Sequence, residues 1–195
     1  MSDDPKVDLV FLVVGQRIPV DHGYALYAAV SRMLPELHEA QDIALDLVRG
    51  RYIGAGLLDI TPRTELVVRL PSSRISTVLA LAGKKLDILG HAVGIGVPTT
   101  RALVLSSALY AHLVTTRNGN DQVRFEKEIH HQADALGVKG KLTVGERRTF
   151  GVHGKQVVGY SVLASELTAE ESITLQENGL GGRRKMGCGF FRKRE

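Results

Sequence analysis

At 195 residues with 44% apolar content, the chain has room for one domain or two small ones and lies far from disordered composition. Aromatics make up 5% with no tryptophan, which excludes a base-stacking platform of many rings, and a single cysteine, Cys188, excludes an internal disulfide framework. The net charge is +4, yet residues 183–195 alone carry six cations and one acid, a net of +5 that leaves −1 for the rest. Such focused basicity is the footprint of a polyanion site. Met1–Lys6 is acidic and polar, and the apolar run Val7–Val14 is too short to span a bilayer, so the expectation is a cytoplasmic protein with no membrane partner.

Val7–Val14 is rich in β-branched residues and reads as a buried strand, broken by Gly15 to Val20 with Pro19. Asp21 stands where an N-cap belongs, with His22 at the first helical position. Leu26, Val30, Met33 and Leu37 then recur on one helix face, and Pro35 sets an end near Leu34. Ile43–Val48 and Tyr52–Ile60 read as extended, Glu65–Leu70 as a short strand, and Pro71-Ser72-Ser73 as the opening of a helix with Ile75, Leu79 and Ala82, closed by Gly83. Leu86–Val97 is another strand. The order is β-α-β-β-α-β.

The second half repeats it. Ala102–Thr116 reads as a long apolar strand ending at the turn dipeptide Asn118-Gly119, and Gln122–Leu136 as a helix on Phe125, Ile129 and Leu136. Gly140–Phe150 and Gln156–Leu163 form two strands. Thr168–Gln176 is a helix with a capping box, Thr168 and Glu171. Cys188, Phe190 and Arg192 alternate with Gly189, Phe191 and Lys193 as a final strand. The fold class expected is therefore α+β: two tandem ferredoxin-like domains, 1–98 and 99–195, divided near Pro98-Thr99-Thr100.

Residues 179–191 interleave Gly179, Gly181, Gly182, Gly187 and Gly189 with Arg183, Arg184 and Lys185. Glycine lets backbones approach closely and adopt positive φ, so this loop suits backbone N–H groups and cations to phosphates. Arg147 and Arg148 extend the basic surface. At the start of the first helix, the partial positive charge attracts phosphate and keeps a histidine near neutrality, which makes His22 the candidate acid or base. Tyr24 and Tyr27, at i and i+3, are placed to position a phosphate or donate a proton. His38, His91, His112 and His153 stand alone. His130 and His131 are adjacent on a helix and diverge by about 100°, so they do not chelate one metal cleanly. No HExxH, CxxC or Walker A pattern is present, and Gly94-Ile-Gly96 lacks the third glycine of a dinucleotide fingerprint, so neither metal nor cofactor is expected.

Three stretches carry a resemblance: PVDHGYALYAAVSRMLPELH (19–38), TELVVRLPSSRI (64–75) with LALAGKKLDILGH (79–91), and GLGGRRKMGCGFF (179–191). Together they resemble the CRISPR-associated repeat-RNA endoribonucleases of the RAMP superfamily, the short MYXAN-subtype members above all. The resemblance implies metal-independent cleavage of precursor CRISPR RNA within each repeat: the 2′-hydroxyl attacks the adjacent phosphate and leaves 2′,3′-cyclic phosphate and 5′-hydroxyl ends. It implies a catalytic histidine at or near the first helix, matched by His22 with Tyr24 or Tyr27 as partner, and an RNA-backbone grip at the glycine loop. Relatives with a first-helix lysine use it for the phosphorane, whereas here the helix offers only Arg32. The alternative implied is a non-catalytic RNA-binding subunit of a CRISPR effector complex, whose other subunits would then be partners.

Overall fold

A computed structural model of the chain describes residues 4–194; Met1–Asp3, part of the acidic start, and Glu195, the one acid of the basic final stretch, lie outside the described residues. The chain divides into two units, Met1–Ala102 and Leu103–Glu195. The division follows Ala102, because a strand runs unbroken through Pro98, Thr99 and Thr100, where the sequence suggested a boundary.

The first unit begins with β1 (Lys6–Val14), whose alternating Leu9, Phe11 and Val13 enter the core. β2 (Arg17–Pro19), α1 (Gly23–Met33) and α2 (Glu36–Glu39) follow, then β3 (Ala44–Leu45), β4 (Arg51–Gly54), β5 (Leu57–Asp59) and β6 (Glu65–Pro71). The second helical stretch is assembled from a 3₁₀ turn at Ser72–Arg74, α3 (Ile75–Val78) and a second 3₁₀ turn at Leu79–Leu81. The single strand expected over Leu86–Val97 is a hairpin, β7 (Lys85–Ile88) and β8 (His91–Ala102), turning at Leu89 and Gly90, both with positive φ. The main sheet has the order β3-β6-β1-β8-β7, antiparallel throughout. Without β7 this is the sheet of a β-α-β-β-α-β unit, with α1 leaving β1 and α3 leaving β6. β2, β5 and β4 form a separate three-stranded sheet outside that pattern.

The second unit holds β9 (Leu109–Val114), α4 (Gln122–Ala135), β10 (Lys141–Val152), β11 (Lys155–Ser165) and α5 (Ala169–Asn178), with sheet order β10-β11-β9. β9 is shorter than the apolar run suggested. Val104 and Leu105 are 59% and 58% exposed, so apolar character there does not mark a buried strand. The chain returns along the other edge of β9 through isolated bridges instead of a continuous strand. Gly182 donates to the Thr115 carbonyl, Gly189 to the Leu113 carbonyl, and Tyr110 and Arg192 exchange two backbone hydrogen bonds.

Each unit has its own core. Phe11, Ile18, Leu45, Leu66 and Leu81 are fully buried in the first; Phe125, Ile129, Val162, Leu175 and Phe191 are in the second. Each such side chain contributes about 1.5–3 kcal/mol by burial. Among the described residues, no helix is long and apolar enough to cross a membrane.

Candidate active site and nucleic-acid interface

α1 starts where β2 ends. His22 takes the N-cap position, one residue later than Asp21 was expected to, and its side chain makes no cap bond. Nδ1 donates to the Pro19 carbonyl at 2.7 Å, and Nε2 accepts the Val48 N–H at 3.0 Å. One nitrogen must carry the proton and the other must lack it, which fixes the neutral ring in its Nδ1–H tautomer. Burial pushes its pKa below the ordinary histidine value, against the opposing bond to Pro19. At 1% exposure, with both nitrogens on backbone, the ring has no open position from which to exchange a proton with a polymer. The acid–base role expected of His22 does not fit this placement; the residue ties the end of β2, the start of α1 and the segment leading to β4 together.

A different pair lies at the surface. α1 runs to Met33, Leu34 caps it, and Pro35 reverses the chain into the single turn of α2. Leu37, 2% exposed, pins that turn to the core, while His38 on the same turn stays in solvent. The result is a contact across eleven residues: Tyr27 Oη lies 2.8 Å from His38 Nδ1, and the rings stack with centroids 6.3 Å apart. Tyr24, the other candidate tyrosine, is half-buried. His38 had looked like a lone side chain. The signal for it was the Leu-Pro break itself, which ends one helix and folds the next turn back beside it. Arg32, the one cation of α1, has Nη2 3.5 Å from the Asp87 carbonyl.

The glycine loop is built inward as well as outward. Gly179 ends α5, and a Cβ there would meet the Gly189 carbonyl at 2.3 Å; at Gly181, with φ +74°, it would meet the Thr115 carbonyl at 2.4 Å. Both positions therefore require glycine for close backbone approach. Arg184, expected to face RNA, turns back instead: Nη1 donates to the carbonyls of Glu177 and Asn178 and satisfies the end of α5. Arg183 has left-handed backbone, φ 59°, and is exposed, whereas Lys185 is half-buried. Gly182 is exposed with open space where a Cβ would stand, and Gly187 follows the short 3₁₀ turn Arg184–Met186. Cys188 is buried with Leu113 and Phe150, and burial pushes its thiol up to about 12, so it acts as packing. On β10, Arg147 is exposed, and Arg148 donates to Glu146 at 2.6 Å. Among the described residues, no three His, Cys, Asp or Glu side chains gather where they could hold a metal ion.

The sequence model of a family described as Cas6 Crispr matches residues 7–194. A CRISPR-associated endonuclease Cas6 of Myxococcus xanthus (strain DK1622) is 38% identical over 192 residues, covering 95% of this chain and 80% of that protein. Among solved structures, a CRISPR associated protein Cas6 superposes with a TM-score of 0.67 at 13% identity, over 99% of this chain and 100% of its own. A RAMP protein described as binding different RNA substrates gives a TM-score of 0.67 at 14% identity, over 97% and 99%. At such identities the structural likeness carries the fold, tandem ferredoxin-like units.

Proposed function

Given that the chain belongs to the Cas6 family of CRISPR-associated endonucleases, we propose that it cuts precursor CRISPR RNA within each repeat with no metal ion, using Tyr27 and His38 as the proton-transfer pair. The RNA 2′-oxygen bonds to the adjacent phosphorus as its proton leaves, and the bond from phosphorus to the 5′-oxygen breaks as that oxygen gains a proton. The ends are a 2′,3′-cyclic phosphate and a 5′-hydroxyl. Histidine is the usual side chain for such transfers near neutral pH. The carrying observation is the 2.8 Å contact between Tyr27 Oη and an exposed His38. With the phenol donating, Nδ1 accepts and Nε2 carries the ring proton. His22 acts one step back, by holding the start of the helix on which Tyr27 stands. Arg183 and Lys185 in the glycine loop, with Arg147 on β10, grip the RNA backbone, and Arg184 keeps the loop in shape. Phosphate contacts of this kind position RNA and do not read its sequence.

The test is cleavage of repeat RNA in excess chelator by the unmodified protein, His38→Ala, Tyr27→Phe and His22→Ala, with a substrate carrying a 2′-deoxy group at the cut site. Chelator-resistant cutting that the deoxy group blocks is expected, with His38→Ala slowing it about 10²–10⁴-fold. Tyr27→Phe should slow it less. Cutting that survives His38→Ala would remove the pair from the chemistry, and RNA binding without cutting would return the protein to the role of a scaffold subunit.

A further inference from the structure

The chain has five tyrosines and five phenylalanines. Nine of these rings are buried or half-buried; Tyr52, on β4, is 64% exposed. It stands on the small sheet that the ferredoxin-like pattern does not need. Ile18, Leu58 and Tyr52 are successive cross-strand neighbours there. Ile18 is fully buried and Leu58 half-buried, so burial fades outward and leaves the ring in solvent at the edge strand. An exposed ring on an edge strand can stack on a flat partner.

Charge indicates which occupant. Residues 47–58 carry two arginines, Arg49 and Arg51, and no acid. Arg51 meets Asp59 at 3.2 Å with its own side chain 75% exposed, whereas Arg49 reaches from the surface to Asp46, whose side chain is only 8% exposed, at 3.2 Å. A pair as exposed as that of Arg51 contributes little, so a phosphate can take over its guanidinium at small cost, while Arg49 stays with the buried carboxylate of Asp46. Arg17 faces Asp59 in register from β2 and adds a third cation to the row.

The platform is also fixed in place. Gly54, Ala55 and Gly56 at the hairpin tip all have positive φ, and Val20 donates to the Gly56 carbonyl at 2.8 Å. At the root, the Val48 N–H is held by His22, which joins the hairpin to α1 and so to Tyr27.

We propose that the β4–β5 hairpin is a second RNA contact, where Tyr52 stacks on a base of single-stranded RNA and Arg51 meets a flanking phosphate. This rests on the RNA-processing reading above and adds a contact in the first unit to the one proposed at the glycine loop of the second. Base–aromatic stacking tolerates any base, so the contact grips an unpaired segment without reading it.

The experiment compares two labelled probes of equal length, an oligoadenylate and an abasic ribose-phosphate strand, binding to the unmodified protein, Tyr52→Ala and Tyr52→Phe. Tyr52→Ala should weaken oligoadenylate binding about tenfold, the loss of one stacked base, and leave the abasic strand unchanged. Tyr52→Phe should bind both as the unmodified protein does. Arg51→Ala should lower the salt slope for both probes by about 0.7, the share of one phosphate. Oligoadenylate binding untouched by Tyr52→Ala would overturn the inference and leave the ring to a protein partner. Equal losses on the two probes would overturn it too, as damage to the fold. Failure of the unmodified protein to bind both probes while it binds repeat RNA would overturn this contact alone, and failure to bind repeat RNA as well would sink the RNA-processing reading with it.

Discussion

His22 and His38 show how burial assigns work to identical side chains. His38 sits at the surface against a phenol, whereas His22 is held neutral by two backbone bonds. Replacing His22 by Ala strands a buried N–H and a carbonyl, and should cost about 1–3 kcal/mol in denaturant unfolding at neutral pH. The sign of its pH dependence follows from the depressed pKa. The unfolded chain takes up a proton near the ordinary value of 6.5, while the folded ring resists it to lower pH. The stability owed to His22 is therefore complete above 6.5 and declines as pH falls from there toward the folded value. The gap between unmodified protein and His22→Ala should narrow on acidification, and a constant gap would mean that the ring's protonation state is irrelevant. His38→Ala, in contrast, should melt normally and cut far more slowly.

Among the elements, the glycine loop and the end of α5 are one device. Arg184 satisfies the last carbonyls of the helix, and its neighbour Arg183 points charge outward. Arg183→Ala should leave the melting temperature unchanged and reduce the salt slope of RNA binding by somewhat less than one unit, while Arg184→Ala should lower the melting temperature first. Equal effects from the two would dissolve the distinction. Local signals of this sort were partly legible in the sequence. The Thr168–Glu171 capping box is present as read, because both halves of it lie within one turn. Two ferredoxin-like units were legible too, since hydrophobic periodicity reports core faces. The contact of Tyr27 with His38 was hidden, because it depends on the angle at which the chain leaves Pro35. The inward turn of Arg184 was hidden for a like reason: a cation in a basic run carries no mark of which carbonyls lie behind it. The Leu89–Gly90 hairpin was masked by apolar residues on both sides that match one strand as well as two.

Across the whole molecule, charge and fold are arranged at odds with one another. The whole excess of positive charge lies in the last residues, the rest being slightly negative, while the chemistry proposed here lies near the beginning. RNA affinity should accordingly fall steeply as salt rises, whereas cutting of RNA already bound should respond far less; single-turnover rates at saturating protein separate the two. A parallel fall in both would place the cations in the chemical step. The bridge between Tyr110 and Arg192 has one more consequence. On a translating ribosome β9 emerges before α4, β10, β11 and α5, and the segment that covers its outer edge follows all of them. Until then that edge of the strand lacks its bridges, and the glycine loop proposed to grip RNA is not yet made. A polypeptide stalled between the two would thus hold the Tyr27–His38 contact without the grip proposed at the glycine loop, and should bind RNA more weakly than the finished protein.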